Sequence, residues 1–349
     1  MKPISLKMPF IMATLFASLA ISPGSQARDL AVVNYGGTTG AALQEAFMDP
    51  FAQKSGIKIV NIPYNGEQAK IKAMVQANNV VWDVIDSEPQ YLVKGCEEDY
   101  YEKIDWSKLL NVDDFIPGAV MECGVGIYVV GIVMAYNKEA LPNGPKNWAD
   151  FWNVKDIPGK RALRKVAQGN LEYALMADGV APEDVYPMLE TSAGVDRAFA
   201  KLDEIKDHIV WWEAGAQPVQ MLASNDVIMS SAYNGRIDAA KEEGYPLDVV
   251  WNEGIFETDY WVIPKGSSNK QLAIDFVQFA SSPEAQAELA KRVTYGPTNK
   301  KTMDLLDDSR TNVLPTSPKN SQNVLYTDAA FWLDHGEELE QRFTAWAAR

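Results

Sequence analysis

The sequence predicts an α/β protein of two lobes joined by crossing strands, the first lobe assembled from both ends of the chain. Three observations predict it. Strand and helix patterns alternate between residues 30 and 86, an order that builds a parallel sheet covered by helices. A long apolar, β-branched run then occupies residues 124–136, enough to carry the chain out of one lobe and into another. After a second alternating set, Phe256–Pro264 reads as a strand that returns to the first lobe.

Taken in order, Leu30 to Tyr35 is a short apolar strand followed by a turn at Gly36-Gly37-Thr38-Thr39. Leu43, Phe47 and Phe51 recur every four residues on one helix face, and Gly56 stops that helix. Ile57–Ile62 is the next strand, Ile71, Met74 and Val75 mark a helix, and Trp82–Asp86 is a third strand. Pro142, Gly144 and Pro145 punctuate the chain before Trp148–Trp152 opens the second set. That set holds helices near 170–177, 195–206 and 236–243 and strands near 209–212, 227–232 and 247–251. Ser282-Pro283-Glu284 supplies a cap, a first-turn proline and a first-turn acid. Trp332, Leu339, Phe343 and Trp346 share a face of a tail helix, and residues 309–323 read as a surface loop. The expected division is residues 28–135 with 262–349 as one lobe and 136–261 as the other. Ligands on such sheets sit beyond the carboxyl ends of the strands, which singles out Tyr35, Gly37 and Thr38, and Asp86 with Ser87.

Lys2 and Lys7, the apolar run from Met8 to Ile21, and the small residues of Ser25-Gln26-Ala27 read as a secretory signal peptide cleaved after Ala27. The expected location is therefore periplasmic. Net charge is −15 over 349 residues, which argues against nucleic acid or anionic lipid as partner, since both need clustered cations. Two cysteines, Cys96 and Cys123, are expected to form a disulfide in an exported protein, with two separate thiols as the alternative. The two histidines, His208 and His335, stand in solvated helix contexts. No zinc spacing, phosphate-cradling loop or nucleophile elbow is present, so neither metal nor cofactor is expected.

Several segments together resemble the periplasmic solute-binding proteins of ABC importers, specifically the spermidine/putrescine-binding type. They are Asn34-Tyr-Gly-Gly-Thr38, Asp83-Val-Ile-Asp-Ser87, Gly131-Ile-Val-Met-Ala-Tyr136, Ala232-Tyr-Asn-Gly-Arg236, Asp259-Tyr-Trp-Val-Ile-Pro264 and Ser282-Pro-Glu-Ala-Gln-Ala-Glu-Leu-Ala290. The resemblance implies a venus-flytrap fold with a hinge between lobes, no catalysis, a ligand held in the cleft, and a membrane permease as partner of a monomeric protein. It places Asp259 where the family has an acid that grips a ligand amine, Tyr233 where it often has Trp, and Tyr295 in a loop at the cleft rim.

Arg236 departs from that pattern. It lies 23 residues before Asp259, and an arginine in a diamine pocket repels the ligand. An Arg and an Asp in one cleft suit a ligand with both charges: the planar guanidinium takes a carboxylate and the aspartate an ammonium. That chemistry fits a short ω-amino acid such as 4-aminobutyrate, with a polyamine such as putrescine or spermidine as the other amine reading. Glu257 is a candidate second acid. The same Arg and Asp are equally compatible with a structural salt bridge. A sugar ligand, or a hydrolase using paired carboxylates, remain as alternatives from other classes.

Overall fold

The computed structural model describes residues 28–349; the expected leader at 1–27 lies outside the described residues. Eleven strands form one mixed sheet: β1 (Leu30–Asn34), β2 (Ile59–Pro63), β3 (Val84–Ser87), β4 (Val120–Met121), β5 (Gly124–Asn137), β6 (Arg161–Arg164), β7 (Ile209–Trp212), β8 (Met229–Tyr233), β9 (Leu247–Val262), β10 (Gly296–Pro297) and β11 (Leu325–Tyr326). Its main path runs β2-β1-β3-β9-β5-β8-β6-β7. The first three strands are parallel, as are β7, β6 and β8 at the other end. Between these blocks, β5 and β9 are antiparallel to each other and to their outer neighbours β8 and β3. They belong to both lobes, which is why two lobes share one sheet.

The sequence reading split 247–251 and 256–264 into two strands; the structure makes them one, β9. Glu253 in its middle adopts a positive φ of 60°. Its carboxylate accepts from the Trp148 backbone N–H at 3.0 Å, and its carbonyl accepts from the Trp148 indole at 2.9 Å. The β5–β9 ladder shifts register between Gly126 and Tyr128 and again between Ile132 and Met134. Such irregularities bend and twist a strand pair, and these two bracket the passage from one lobe to the other.

Two cores flank that passage. Leu30, Phe47, Val84, Trp261 and Phe276 centre the first, while Trp148, Phe151, Tyr173 and Leu202 belong to the second. The first helix, begun at Gly37–Leu43, continues through a wide π turn at Gln44–Met48 to Asp49–Ser55. It ends where Gly56 takes φ 72°, the left-handed conformation that glycine adopts freely. The tail helix Ala329–Ala347 buries Phe331, Trp332, Leu339, Phe343 and Trp346 in the second core. The aromatic stripe of this helix thus packs with Trp148 and Phe151 rather than with Leu30 and Phe276. Leu314, Ser317 and Asn320 are also buried, so the stretch 309–323 lies down on the protein. No helix among the described residues is long and apolar enough to cross a membrane.

Cys96 and Cys123 are bonded, with a Cα–Cα distance of 5.8 Å. The bridge ties the helix Pro89–Glu97, which follows β3, to the start of β5. Replacing both residues by serine is expected to lower the unfolding free energy by about 3 kcal/mol, the loop-closure entropy returned to the unfolded chain. Urea denaturation of the oxidised parent and the double variant checks this. An unchanged midpoint would show that the bridge contributes nothing.

Candidate functional site

Three strands build an acidic floor beside the cleft. β3 delivers Asp86, β5 delivers Tyr128, and β9 delivers Glu257 and Asp259. Tyr128 pairs directly with Asp259 across the ladder, just past the first register shift, and Asp86 pairs with Trp261. Residues 257 and 259 share a sheet face because side chains alternate along a strand. Asp86 is fully buried and Asp259 is 8% exposed. Tyr128 donates its hydroxyl to Asp86 Oδ2 at 3.0 Å, and Tyr64 donates to the Asp86 carbonyl.

No cation compensates these two aspartates. Burial raises the pKa of Asp86, with the nearby Glu88 adding to the shift. Asp259 is raised by burial first, then by Asp86, Glu88 and Glu257. The charges that shift it most are acidic, a hydrogen bond from Tyr128 pulls the other way, and no ion pair to Asp259 is present among the described residues. Asp86 Oδ1 and the Tyr35 hydroxyl have no hydrogen-bond partner among the described residues. Buried polar atoms without partners are costly in a folded protein, and a carboxyl oxygen and a phenol oxygen can each accept from an ammonium.

A cavity of about 490 Å³ adjoins this floor. Glu88, Tyr91, Arg164, Tyr233, Glu257 and Trp332 are among the residues that line it, contributed by both lobes, the crossing strands and the tail helix. Arg164 donates to the Tyr233 hydroxyl at 3.1 Å. Its charge opposes the upward shifts that burial imposes on Glu88 and Glu257. Glu257 is pushed up to about 7 by burial and by Glu88, and it accepts from Gln168 at 2.8 Å and Thr327 at 3.0 Å.

Arg236 is exposed on the first turn of the helix Asn234–Glu242. It lines a separate groove of about 400 Å³ with Thr38, Thr39, Gly235, Thr294 and Tyr295. Tyr295 connects the two regions. Its ring lies 5.0 Å from that of Tyr128. Its hydroxyl is shifted upward chiefly by burial, while Arg236 pulls the other way and Asp259 and Asp86 push with burial. Asn234 fixes this junction: it is fully buried, accepts from the Gly131 N–H at 3.0 Å, and donates to the Thr294 carbonyl.

The structure therefore brings together Tyr35, Asp86, Tyr233, Glu257, Asp259 and Tyr295, and sets Thr38 and Arg236 in the neighbouring groove. Gly37 opens the first helix and faces a different surface groove with Ala41, Gln44 and Pro63. Ser87 is fully buried, with its hydroxyl bonded to the Glu88 carbonyl at 3.2 Å. Neither lines the cavity, and nor do Tyr35, Asp86, Asp259 and Tyr295; of the expected residues, Tyr233 and Glu257 line it. Sequence reasoning missed Arg164, Gln168 and Tyr128. Arg164 lies in Lys-Arg-Ala-Leu-Arg-Lys, a run that reads as solvated charge. Its neighbour Arg161 is instead a buried structural group, donating to the Phe151 carbonyl at 2.9 Å and to those of Gly159 and Ile157 at 2.5 Å.

With this geometry in place, comparison with known proteins is informative. Residues 46–313 match a family described as bacterial extracellular solute-binding protein. The gamma-aminobutyric acid-binding protein of Pseudomonas aeruginosa is 49% identical over 332 residues, covering 95% of this chain and 94% of that one. An ABC transporter substrate-binding protein from Bradyrhizobium japonicum superposes with a TM-score of 0.85 at 36% identity, covering 91% of this chain and 99% of that one. The Atu4243–GABA receptor superposes at 0.83 with 34% identity, covering 92% and 98%. The expected resemblance and the two-lobed venus-flytrap fold both hold.

The raised carboxyls set a pH dependence. A carboxyl whose folded value exceeds its unfolded one holds its proton longer when native. Stability is then greatest below the unfolded value and falls as pH rises towards the folded one. For Glu257 the window runs from about 4.5 to about 7. The ligand-free protein is expected to lose about 1–3 kcal/mol across it, and Glu257→Gln should flatten the profile. Urea unfolding at pH 5 and pH 8 measures both; identical slopes in parent and variant would refute the assignment.

Proposed function

Because this chain belongs to the bacterial extracellular solute-binding proteins, we propose that it captures 4-aminobutyrate between its lobes and delivers it to the membrane permease of an ABC importer. It is exported, freed of residues 1–27, and works as a monomer without catalysis. The observation that carries this reading is the pair of buried aspartates, Asp86 and Asp259, beside the interlobe cavity, whose strongest charged neighbours among the described residues are acids.

The ligand ammonium lies against Asp259 and Asp86, with the Tyr35, Tyr128 and Tyr295 rings around it. Aromatic faces add about 0.5–2 kcal/mol each to cation binding. The carboxylate end points past Tyr295 to Arg236. Asp259 and Asp86 come from the floor and Arg236 from the second lobe, so the ligand adds a bridge to the direct contact that Asn234 makes with Thr294. Closure is therefore favoured to the extent that the ligand contacts both. A diamine such as putrescine is the second reading, favoured by the surplus of acids in the cleft; Arg236 decides between them.

Calorimetric titration of 4-aminobutyrate, putrescine, spermidine, α-amino acids and simple sugars tests the assignment. A charged hydrogen bond contributes about 1.5–3 kcal/mol. Asp259→Asn is thus expected to weaken 4-aminobutyrate by about 10- to 150-fold. Arg236→Gln should weaken 4-aminobutyrate comparably yet leave putrescine unchanged or tighter. Binding of sugars alone would overturn the amine assignment, and equal loss of both amines in Arg236→Gln would overturn the carboxylate role.

Binding should also release protons, because the incoming ammonium stabilises the ionised aspartates that burial holds protonated. The sign follows: affinity falls as the medium is acidified, and the observed heat varies with the ionisation enthalpy of the buffer. Heats that are independent of buffer across pH 6–8 (roughly the span in which the buried acids titrate) would contradict this.

A further inference from the structure

Two walls of the interlobe cavity are helices from different lobes. The helix Pro89–Glu97 contributes Gln90 and Tyr91, and the tail helix contributes Trp332, Gly336 and Glu340. Leu92 and Cys96 hold the first of these helices to Val33, Ile71 and Ile85, and the disulfide ties it to the start of β5. The tail helix is part of the second core. The two helices nonetheless pack against each other beside the cavity. Each travels with its own lobe, so this contact is made on closing and lost on opening.

Gly336 stands between Trp332 and Glu340, one turn from each, and all three line the cavity, as residues four apart on a helix share a face. The outer two are fastened to the second lobe. Trp332 donates to Glu172 at 2.9 Å, and Glu340 accepts from the Ala167 N–H at 2.7 Å. The helix therefore cannot shift aside to make room. Nothing in the helix itself calls for glycine here. Glycine is destabilising relative to alanine in a helix interior. A Cβ on Gly336 would meet the Trp332 ring alone, at 3.5 Å, an ordinary contact. Beyond that ring the missing side chain leaves open space on the cavity side.

We infer that Gly336 is a positioning residue for capture: its absent side chain leaves the space into which the helix Pro89–Glu97 settles when the lobes close over a ligand. The inference rests on the proposed function, because it concerns closure around a captured solute. It does not depend on where in the cleft the ammonium lies.

The test compares the full mature chain with Gly336→Ala and Gly336→Leu. Each is titrated calorimetrically with 4-aminobutyrate, measured by small-angle X-ray scattering with and without saturating ligand, and unfolded in urea without ligand. Gly336→Ala should raise the unfolding midpoint through helix propensity and keep the parent's binding. Gly336→Leu should unfold no earlier than the parent, because leucine is a good helix former. It should nevertheless bind 4-aminobutyrate about 5- to 150-fold more weakly, the scale of an overpacked contact, and lose the ligand-induced decrease in radius of gyration. Affinity and compaction equal to the parent's in Gly336→Leu would overturn the inference. So would weaker binding with full compaction at saturation, which assigns the residue to ligand fit alone, and weaker binding with an earlier midpoint, which makes the effect one of folding. If 4-aminobutyrate fails to bind the parent, the proposed function falls, and closure is read with putrescine or spermidine instead. A parent that none of the three compacts overturns both.

Discussion

The antiparallel pairing of β5 with β9 is the constraint on which the rest depends. It spans both lobes, and its register sets Tyr128 opposite Asp259 and Val130 opposite Glu257. A strand moved by one residue would turn Glu257 and Asp259 into the core and bring Phe256 and Tyr260 to the cleft. The first shift sits beside the aspartate floor and the second beside the junction with β8. The same irregularities that let the ladder pass between lobes also aim the acids. Asn234 reinforces the register from outside, since its bonds to Gly131 and Thr294 hold β5 and the Tyr295 loop to the helix bearing Arg236.

That ladder places charge where a soluble protein usually avoids it. Isolated buried carboxylates are strongly disfavoured, and proteins normally pair them or leave them protonated. The second lobe shows the ordinary remedy. Glu172 is fully buried, yet it accepts from the Gly169 N–H at 2.8 Å, the Trp332 indole at 2.9 Å and the Tyr186 hydroxyl at 3.2 Å. These bonds also pin the tail helix to the cavity wall. Asp83 is another example, buried but paired bidentately with Arg28 and bonded to Ser267 and Asn269. Asp86 has the Tyr128 hydroxyl alone, and neither it nor Asp259 has a basic partner among the described residues. The contrast within one chain separates acids that the fold itself satisfies from acids that it leaves without a basic partner.

Much of this was legible in the sequence because it depended on local pattern. The alternating strands and helices, the stop at Gly56 and the capped helix Pro283–Ala290 follow from periodicity and end signals within a few residues. Asp259 and Tyr233 were found through the segments around them. Arg164, Asn170 and Tyr173 were not. Arg164 is embedded in a basic run whose other arginine is structural, and the helix Asn170–Ala177 is buried throughout, so its pattern announces core and nothing else. The tail helix was recognised as amphipathic, but an apolar stripe does not say which of two cores receives it. Gly37 was selected because it follows a strand end. The chain there turns through Gly36 at φ 66°, where a Cβ would stand 3.1 Å from that of Pro63, and directs Gly37 outward. Long-range placement of this kind has no signature in a window of neighbouring residues.

The electrostatics also bear on how capture and release are coupled. In a closed cleft the acids are dry, and the attraction between ammonium and carboxylate is several times stronger than in water. Under the proposed function, opening returns water to Asp259 and Asp86, and the same attraction is then largely screened. Affinity therefore belongs to the closed state, and a ligand shifts the lobes towards closure by its differential affinity for that state. Holding the lobes apart then favours release, because it breaks the ligand's contacts with one of them. A permease that stabilises the open form would free the ligand by rehydrating the floor, and the uncompensated pair that makes the empty closed form costly would keep the released protein from shutting again without cargo.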